Sequence, residues 1–206
     1  MAERAEQESG DKPNLSDLSG VSNALLLVPS LGVQGRNACL TLLSQTPPSE
    51  TNVLAVTYTD TGREWVTHWQ NHVGIPPVRG GIVAIGQGEG GVDDPAWAVK
   101  TIENPVDLTG IGIELSQFLS TMAAAADDTE EIAVCFNSVT SLLQYADLQR
   151  AFRFLHVVTG RVKTVEGVGY YRIDPDAHDQ QTLATLKGLF DAVVEVDGDG
   201  NWTVQR

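Results

Sequence analysis

Eight residues, Ser30-Leu-Gly-Val-Gln-Gly35-Arg36-Asn37, follow the apolar run Ala24–Val28 and precede a helical pattern. Their spacing matches the phosphate-binding octad G-x-x-x-x-G-K-[ST], whose lysine reaches the terminal phosphates and whose hydroxyl holds Mg²⁺. Three of the four defining residues differ: Ser30 replaces the first glycine, Arg36 the lysine and Asn37 the hydroxyl residue. A neutral amide oxygen is a poor ligand for a hard cation. A planar guanidinium is no substitute for the point charge of an ammonium. Gly32, Gly35 and the helix N-terminus still offer N–H groups to an anion. The octad therefore reads as a degenerate nucleotide site.

Three other clusters have spacings that could carry chemistry. Gly86-Gln-Gly88-Glu-Gly-Gly91 has the spacing G-x-G-x-x-G after an apolar run. No helix opens after it, and Glu89, Asp93 and Asp94 would repel a pyrophosphate, so a Gly-rich loop is expected. His68 and His72 lie four apart, but Trp69 stands where a zinc-protease motif needs Glu; a packed aromatic edge with Trp65 and Trp69 is expected instead. Asp197-Gly-Asp199-Gly-Asn201 imitates the start of a calcium loop, yet Trp202 occupies the glycine position, and a hairpin turn is expected.

Two clusters are assigned to partner binding, with no metal. Asp174, Asp176, His178 and Asp179 gather at the end of a strand pattern, where open parallel sheets bind ligands; Asp176 or Asp179 would equally serve as a helix cap. Arg150, Arg153, Arg161 and Lys163 concentrate positive charge along one helix and its end, facing an acidic partner or solvent.

The elements that must position these groups alternate. Ala24–Val28, Val53–Tyr58, Gly81–Ile85, Ile132–Phe136, Val168–Ile173 and Ala192–Val196 read as strands, mostly continuously apolar and so covered on both faces. Helical patterns occupy 37–45, 62–73, 112–126, 147–163 and 179–190. Thr61 and Glu64 form a capping box for the second. In 147–163, Leu148, Ala151, Phe152, Leu155, Val158 and Val162 share a face. A C-terminal β-hairpin closes the pattern. Residues 1–20 are polar and acidic, an expected disordered tail; 21–206 form one domain.

Acidic residues number 27 against 13 basic, of which four are Lys. A net charge of −14 disfavours nucleic acid and anionic membranes as partners. It suits a cytoplasmic protein of a salt-accumulating organism, where salt screens self-repulsion. Cys39 and Cys135 fall in apolar elements and read as reduced core residues. No apolar run reaches membrane length.

The segment Ile132-Ala-Val-Cys-Phe-Asn137-Ser-Val-Thr-Ser-Leu-Leu resembles the Walker B strand and following helix of RecA/KaiC-like ATPases. Phe152-Arg-Phe-Leu-His-Val-Val-Thr-Gly-Arg-Val-Lys and Ile173-Asp-Pro-Asp-Ala-His-Asp look like the KaiC-like proteins of salt-loving archaea. The resemblance covers roughly residues 21–197 and implies a RecA-like three-layer α/β sandwich with a mostly parallel central sheet. It places the Walker A lysine on Arg36, its partner on Asn37, the Walker B aspartate on Asn137, and the paired catalytic glutamates on Thr59 and Asp60. Phosphoryl transfer rests on positioned charge, and losing one such donor costs on the order of 10²–10³ in rate. The resemblance thus implies a pseudo-ATPase, with no cofactor or with ATP held without turnover, acting as a regulatory or scaffolding module on a protein partner or by self-association. The alternatives are a nucleotide-binding switch with Arg36 on the phosphates and, less favoured by the charge, a DNA recombination or repair accessory protein.

Overall fold

The computed structural model describes residues 18–29, 33–88, 90–197 and 199–206. The six apolar runs, the last segment of the hairpin and one further segment become the strands of one sheet: β1 (Asn23–Leu27), β2 (Thr51–Thr57), β3 (Arg79–Ile85), β4 (Trp97–Ile102), β5 (Glu131–Asn137), β6 (Val168–Ile173), β7 (Ala192–Val196) and β8 (Trp202–Gln205). Helices α1 (Val33–Leu43), α2 (Gly62–His72), α3 (Leu108–Ala125), α4 (Val139–Tyr145), α5 (Leu148–Thr164) and α6 (Gln180–Lys187) connect them. The strand order is β4-β3-β2-β5-β6-β1-β7-β8, parallel except for the antiparallel β7–β8 hairpin.

The layering follows from period-two alternation along the strands. Ala24, Leu26, Val53, Ala55, Ile82 and Ala84 join the core under α1 and α2. Leu25, Leu27, Leu54, Val56, Val83 and Ile85 join the other core, under α3, α4, α5 and α6. Every residue of β1 and β2 is buried, as strands covered on both faces require. The expected three-layer α/β sandwich with a mostly parallel sheet and a C-terminal hairpin is what the chain forms.

Some boundaries differ from expectation. Leu18 is buried in the α1/α2 core and its carbonyl accepts from Val21 N at 3.0 Å, so the ordered domain begins before residue 21. Residues 1–17 of the expected tail lie outside the described residues. Strand β4 was not anticipated: it is an edge strand whose Lys100 and Thr101 interrupt the apolar signal, and it is held by pairing with β3. The Gly-rich segment after β3 is the loop that crosses to β4, with Gly86 at φ +70°; Glu89 lies outside the described residues. Helix α4 is a separate short element, capped by Ser138, whose hydroxyl accepts from Ser141 N. On α5 the buried stripe runs through Ala151, Phe154, Leu155, Val158 and Val162, while Phe152 is only half-buried.

Local signals elsewhere formed as read. Thr61 Oγ1 accepts from Glu64 N, and Glu64 accepts from Thr61 N at 2.8 Å, which completes the capping box of α2. Trp69 is fully buried, donates Nε1–H to Ile75 O at 2.8 Å, and meets Trp97 edge-on at 5.5 Å. Asp197 accepts from the backbones of Asp199 and Asn201 and from the Asn201 amide, tying the hairpin turn to itself.

Candidate functional site

Alternation and register put Thr57, Asn137 and Arg172 in one row. Thr57 lies opposite Asn137, and the pairing of Phe136 with Tyr171 brings Asn137 level with Arg172. The row shares the face of Ala55, Cys135 and Tyr170, beneath α1 and α2. It lies at the carboxyl ends of β2, β5 and β6. The helices after β2 and β5 pack on opposite faces of the sheet. Such a switch point opens the crevice in which open α/β sheets bind ligands.

Here the crevice wall carries a polar network centred on Asn137 and Asp60. Asn137 is 7% exposed, so its amide must find partners within the protein. Its Oδ1 accepts from Arg172 Nη1 at 3.0 Å. Its Nδ2 donates to Thr59 Oγ1 at 3.3 Å and to Asp60 Oδ2 at 3.4 Å. Asp60 Oδ2 also accepts from the hydroxyls of Thr57 at 3.2 Å and Thr59 at 3.0 Å. The turn that delivers Asp60 is fixed by Thr57, whose hydroxyl oxygen accepts from the backbone N–H of Thr59 and Asp60. Tyr58 N donates to Asn137 O, and Gln87 donates to Tyr58 O at 2.8 Å. His68 Nδ1 stands 3.7 Å from Asp60 Oδ1.

Chemically, Asp60 Oδ2 and Asn137 Oδ1 are held within the network. The one carboxylate takes three side-chain donors on a single oxygen, and the guanidinium holds the amide oxygen of Asn137. One layer below, Cys135 and Cys39 are buried free thiols. Burial, and then the neighbouring Cys39, push the Cys135 thiol up, away from the thiolate form that reacts or binds metals.

Of the residues assigned to the degenerate nucleotide site, Asp60 and Asn137 are brought together. Asn37 lies half-buried on α1. Ser30 and Gly32 lie outside the described residues. Gly35 and Arg36 fall within the first turns of α1, and their side chains are likewise outside them. Sequence reasoning missed Arg172, Thr57 and the His68 contact. The one available signal was a lone arginine in the otherwise uncharged strand Val168–Ile173. His68 and His72 face different partners, since His72 Nε2 meets Thr41 Oγ1 at 3.2 Å. Among the described residues no group of three or more His, Cys, Asp or Glu is arranged to hold a metal.

The acidic block after β6 disperses into caps. Asp174 accepts from Asp176 N and Asp179 accepts from Thr182 N, so they close a 3₁₀ turn and start α6. Asp176 is exposed. His178 Nε2 lies 3.2 Å from Thr140 Oγ1, beside a cavity of about 400 Å³. Burial pulls the His178 imidazole down, against the opposing pull of Asp174 and Asp179.

The arginines of α5 have a different setting. Arg150, Arg153 and Arg161 are exposed and edge a groove of about 920 Å³ between α3 and α5. Ile113, Phe154 and Val157 also line it. None of the three arginines forms an ion pair among the described residues.

Among the described residues no helix is long and apolar enough to cross a membrane. The model of a family of unknown function, DUF7504, matches residues 21–196. No curated protein matches the chain. A Pyrococcus horikoshii OT3 protein, studied as PH0250, is similar in structure with a TM-score of 0.56 at 12% identity, over 91% of this chain and 86% of that one. The uncharacterized Pyrococcus horikoshii protein PH0321, crystallised in complex with an unknown peptide, gives a TM-score of 0.60 at 11% identity, over 89% and 81% of the two chains. At such identities the likeness is one of fold alone.

Proposed function

The chain belongs to DUF7504, a family of unknown function, and we propose that it is a non-catalytic regulatory or scaffolding protein of the RecA/KaiC-like kind, acting through protein–protein contact. One observation carries this: the Arg172 guanidinium, 3.0 Å from Asn137 Oδ1. Asn137 is the position where an ATPase of that kind would place the carboxylate that orders Mg²⁺. Here the ligand atom is a neutral amide oxygen, and a fixed positive charge already sits on it. Two unit charges 4 Å apart repel by about 4 kcal/mol at an effective dielectric of 20, and a divalent ion doubles this. The site disfavours the metal twice, by the missing charge and by the added one. Asp60 offers little compensation, since its Oδ2 already serves three donors and Oδ1, 3.7 Å from His68 Nδ1, is what it leaves for a water.

Nucleotide binding and turnover are tested together. Isothermal titration with ATP and Mg²⁺ is run in about 1 M potassium chloride, a salt level at which exposed charges are screened. A non-catalytic protein gives no phosphate release. Micromolar ATP binding without hydrolysis would move the assignment to a nucleotide switch, whose affinity Arg36→Ala should abolish. Hydrolysis by the native chain would end the proposal. Combining Arg36→Lys, Asn37→Thr and Asn137→Asp asks whether only these groups are missing. With Arg172 in place the triple variant should stay inactive.

A further inference from the structure

We infer that the groove between α3 and α5 is the docking site of an acidic amphipathic helix from a partner protein. This names the partner chemistry within the protein-contact reading above and rests on it. Arg150, Arg153, Val157 and Arg161 follow one another at three- and four-residue steps, so they form a single stripe along α5. The stripe from Arg150 to Arg161 is about 16 Å long, three helical turns. Its centre is apolar: Val157 is 56% exposed, and Ile113 on the facing helix is 51% exposed. Phe154 also lines the groove. An apolar centre flanked by cations is what a helix-in-groove contact uses, with apolar anchors every three to four residues and charges at the rim.

Charge decides the occupant. The chain carries 27 acidic residues, yet no described carboxylate pairs with these three arginines. Like charges at such spacing repel on an isolated helix, and a partner with carboxylates at matching steps relieves that. A second copy is the poorer fit. In a two-fold contact centred on the groove the same patch meets itself, arginine against arginine. Nucleic acid also fits poorly, because phosphates gain nothing from Ile113 and Val157 and the net charge of −14 repels them.

The test uses the full chain and three fluorescent 18-residue peptides, read by anisotropy over a salt series. One is an amphipathic helix with Leu at three- and four-residue steps and Glu at its flanks. The second replaces every Glu by Lys, and the third scrambles the acidic sequence. The acidic helix should bind saturably, and neither control should. Combined Arg150→Glu, Arg153→Glu and Arg161→Glu should weaken it at least about tenfold, as reversed interfacial charges do, and should turn the preference toward the Lys peptide. Val157→Asp should weaken it as well, with circular dichroism unchanged for both variants. Equal binding of the Glu and Lys peptides, no binding, or indifference to the arginine reversals would overturn the inference. So would a duplex DNA that competes for the groove, or sedimentation showing a dimer that Val157→Asp dissolves. ATP turnover is measured on the same samples. Hydrolysis refutes the non-catalytic function, whereas absent peptide binding without hydrolysis refutes the groove assignment alone.

Discussion

The contact between Arg172 and Asn137 makes a quantitative claim that a double-mutant cycle can reach. Arg172→Met removes the guanidinium but keeps an unbranched side chain against the β6 surface. The lost bond has one charged partner, and its loss leaves Asn137 Oδ1 buried without that donor. Hydrogen bonds to charged groups contribute about 1.5–3 kcal/mol. Arg172 is half-buried, so solvent screening favours the lower end of that range. Asn137→Ala removes the same bond from the other side, together with those to Thr59 and Asp60. Each single variant should lose about 1.5–3 kcal/mol. In a chain of this size that lowers Tm by roughly 2–4 °C per kcal/mol. The cycle cancels whatever each residue does elsewhere and leaves the pairwise term, expected at about 1–2 kcal/mol. Equilibrium unfolding in urea is the assay, with an unchanged m-value as the sign that the unfolded reference is constant. A coupling below about 0.5 kcal/mol, the level of unrelated sites, would refute the claim that the two side chains act as a unit. Arg172 would then be no fixed cation opposing Mg²⁺ at Asn137.

Three further outcomes follow from the geometry. Asp191 accepts from Lys163 Nζ at 2.7 Å and from the backbone of Asn23 at 2.9 Å and Ser22 at 3.2 Å. Burial acts to raise its carboxyl, but Lys163 and those N–H groups outweigh it and hold the value low. The resulting stability is present above the ordinary carboxylate range and is lost as pH falls through the lowered value. Asp191→Asn should therefore flatten the acid limb of a stability–pH profile and cost about 1 kcal/mol near neutrality, the scale of a partly exposed pair; an unchanged acid limb would exclude this role. At Gly80 a Cβ would overlap the Trp97 indole, so Gly80→Ala should destabilise by about 1–3 kcal/mol through overpacking. Gly160, inside α5 with nothing within 4 Å of a built Cβ, should gain about 0.5–1 kcal/mol on substitution by Ala. Denaturation midpoints that fail to move in opposite directions would contradict the packing.

How much could be read beforehand depends on how local the determinant was. Strands β6 and β7 coincide with their apolar runs because both flanks are marked by charge or glycine, and the capping box at Thr61 carries its own geometry. Strand β4 escaped because an edge strand needs only one covered face, and Lys100 looks out of place until β3 is beside it. The candidate site was half legible. Asp60 and Asn137 stood out as departures from a motif, whereas Arg172 belongs to no motif and meets them only through the register of β5 and β6. The acidic block was the reverse case, dense in sequence and dispersed in space, because Asp174 and Asp179 each answer to a nearby backbone N–H and Asp176 faces solvent.

The central position of β1 also sets an order in time. Among the described residues its neighbours in the sheet are β6 and β7, and Asn23 receives the Tyr171 hydroxyl from 148 residues away. A ribosome adding about 5–20 residues per second needs about 7–30 s to make that stretch. For that interval β2, β3 and β4 can pair among themselves, while β1 has neither of its sheet partners. Its five residues Asn23–Leu27 include four apolar ones in a row, an unpaired edge of the kind that recruits other chains. The nascent protein needs β1 sheltered until β6 and β7 arrive, and a chain interrupted before β6 leaves both edges of β1 unpaired.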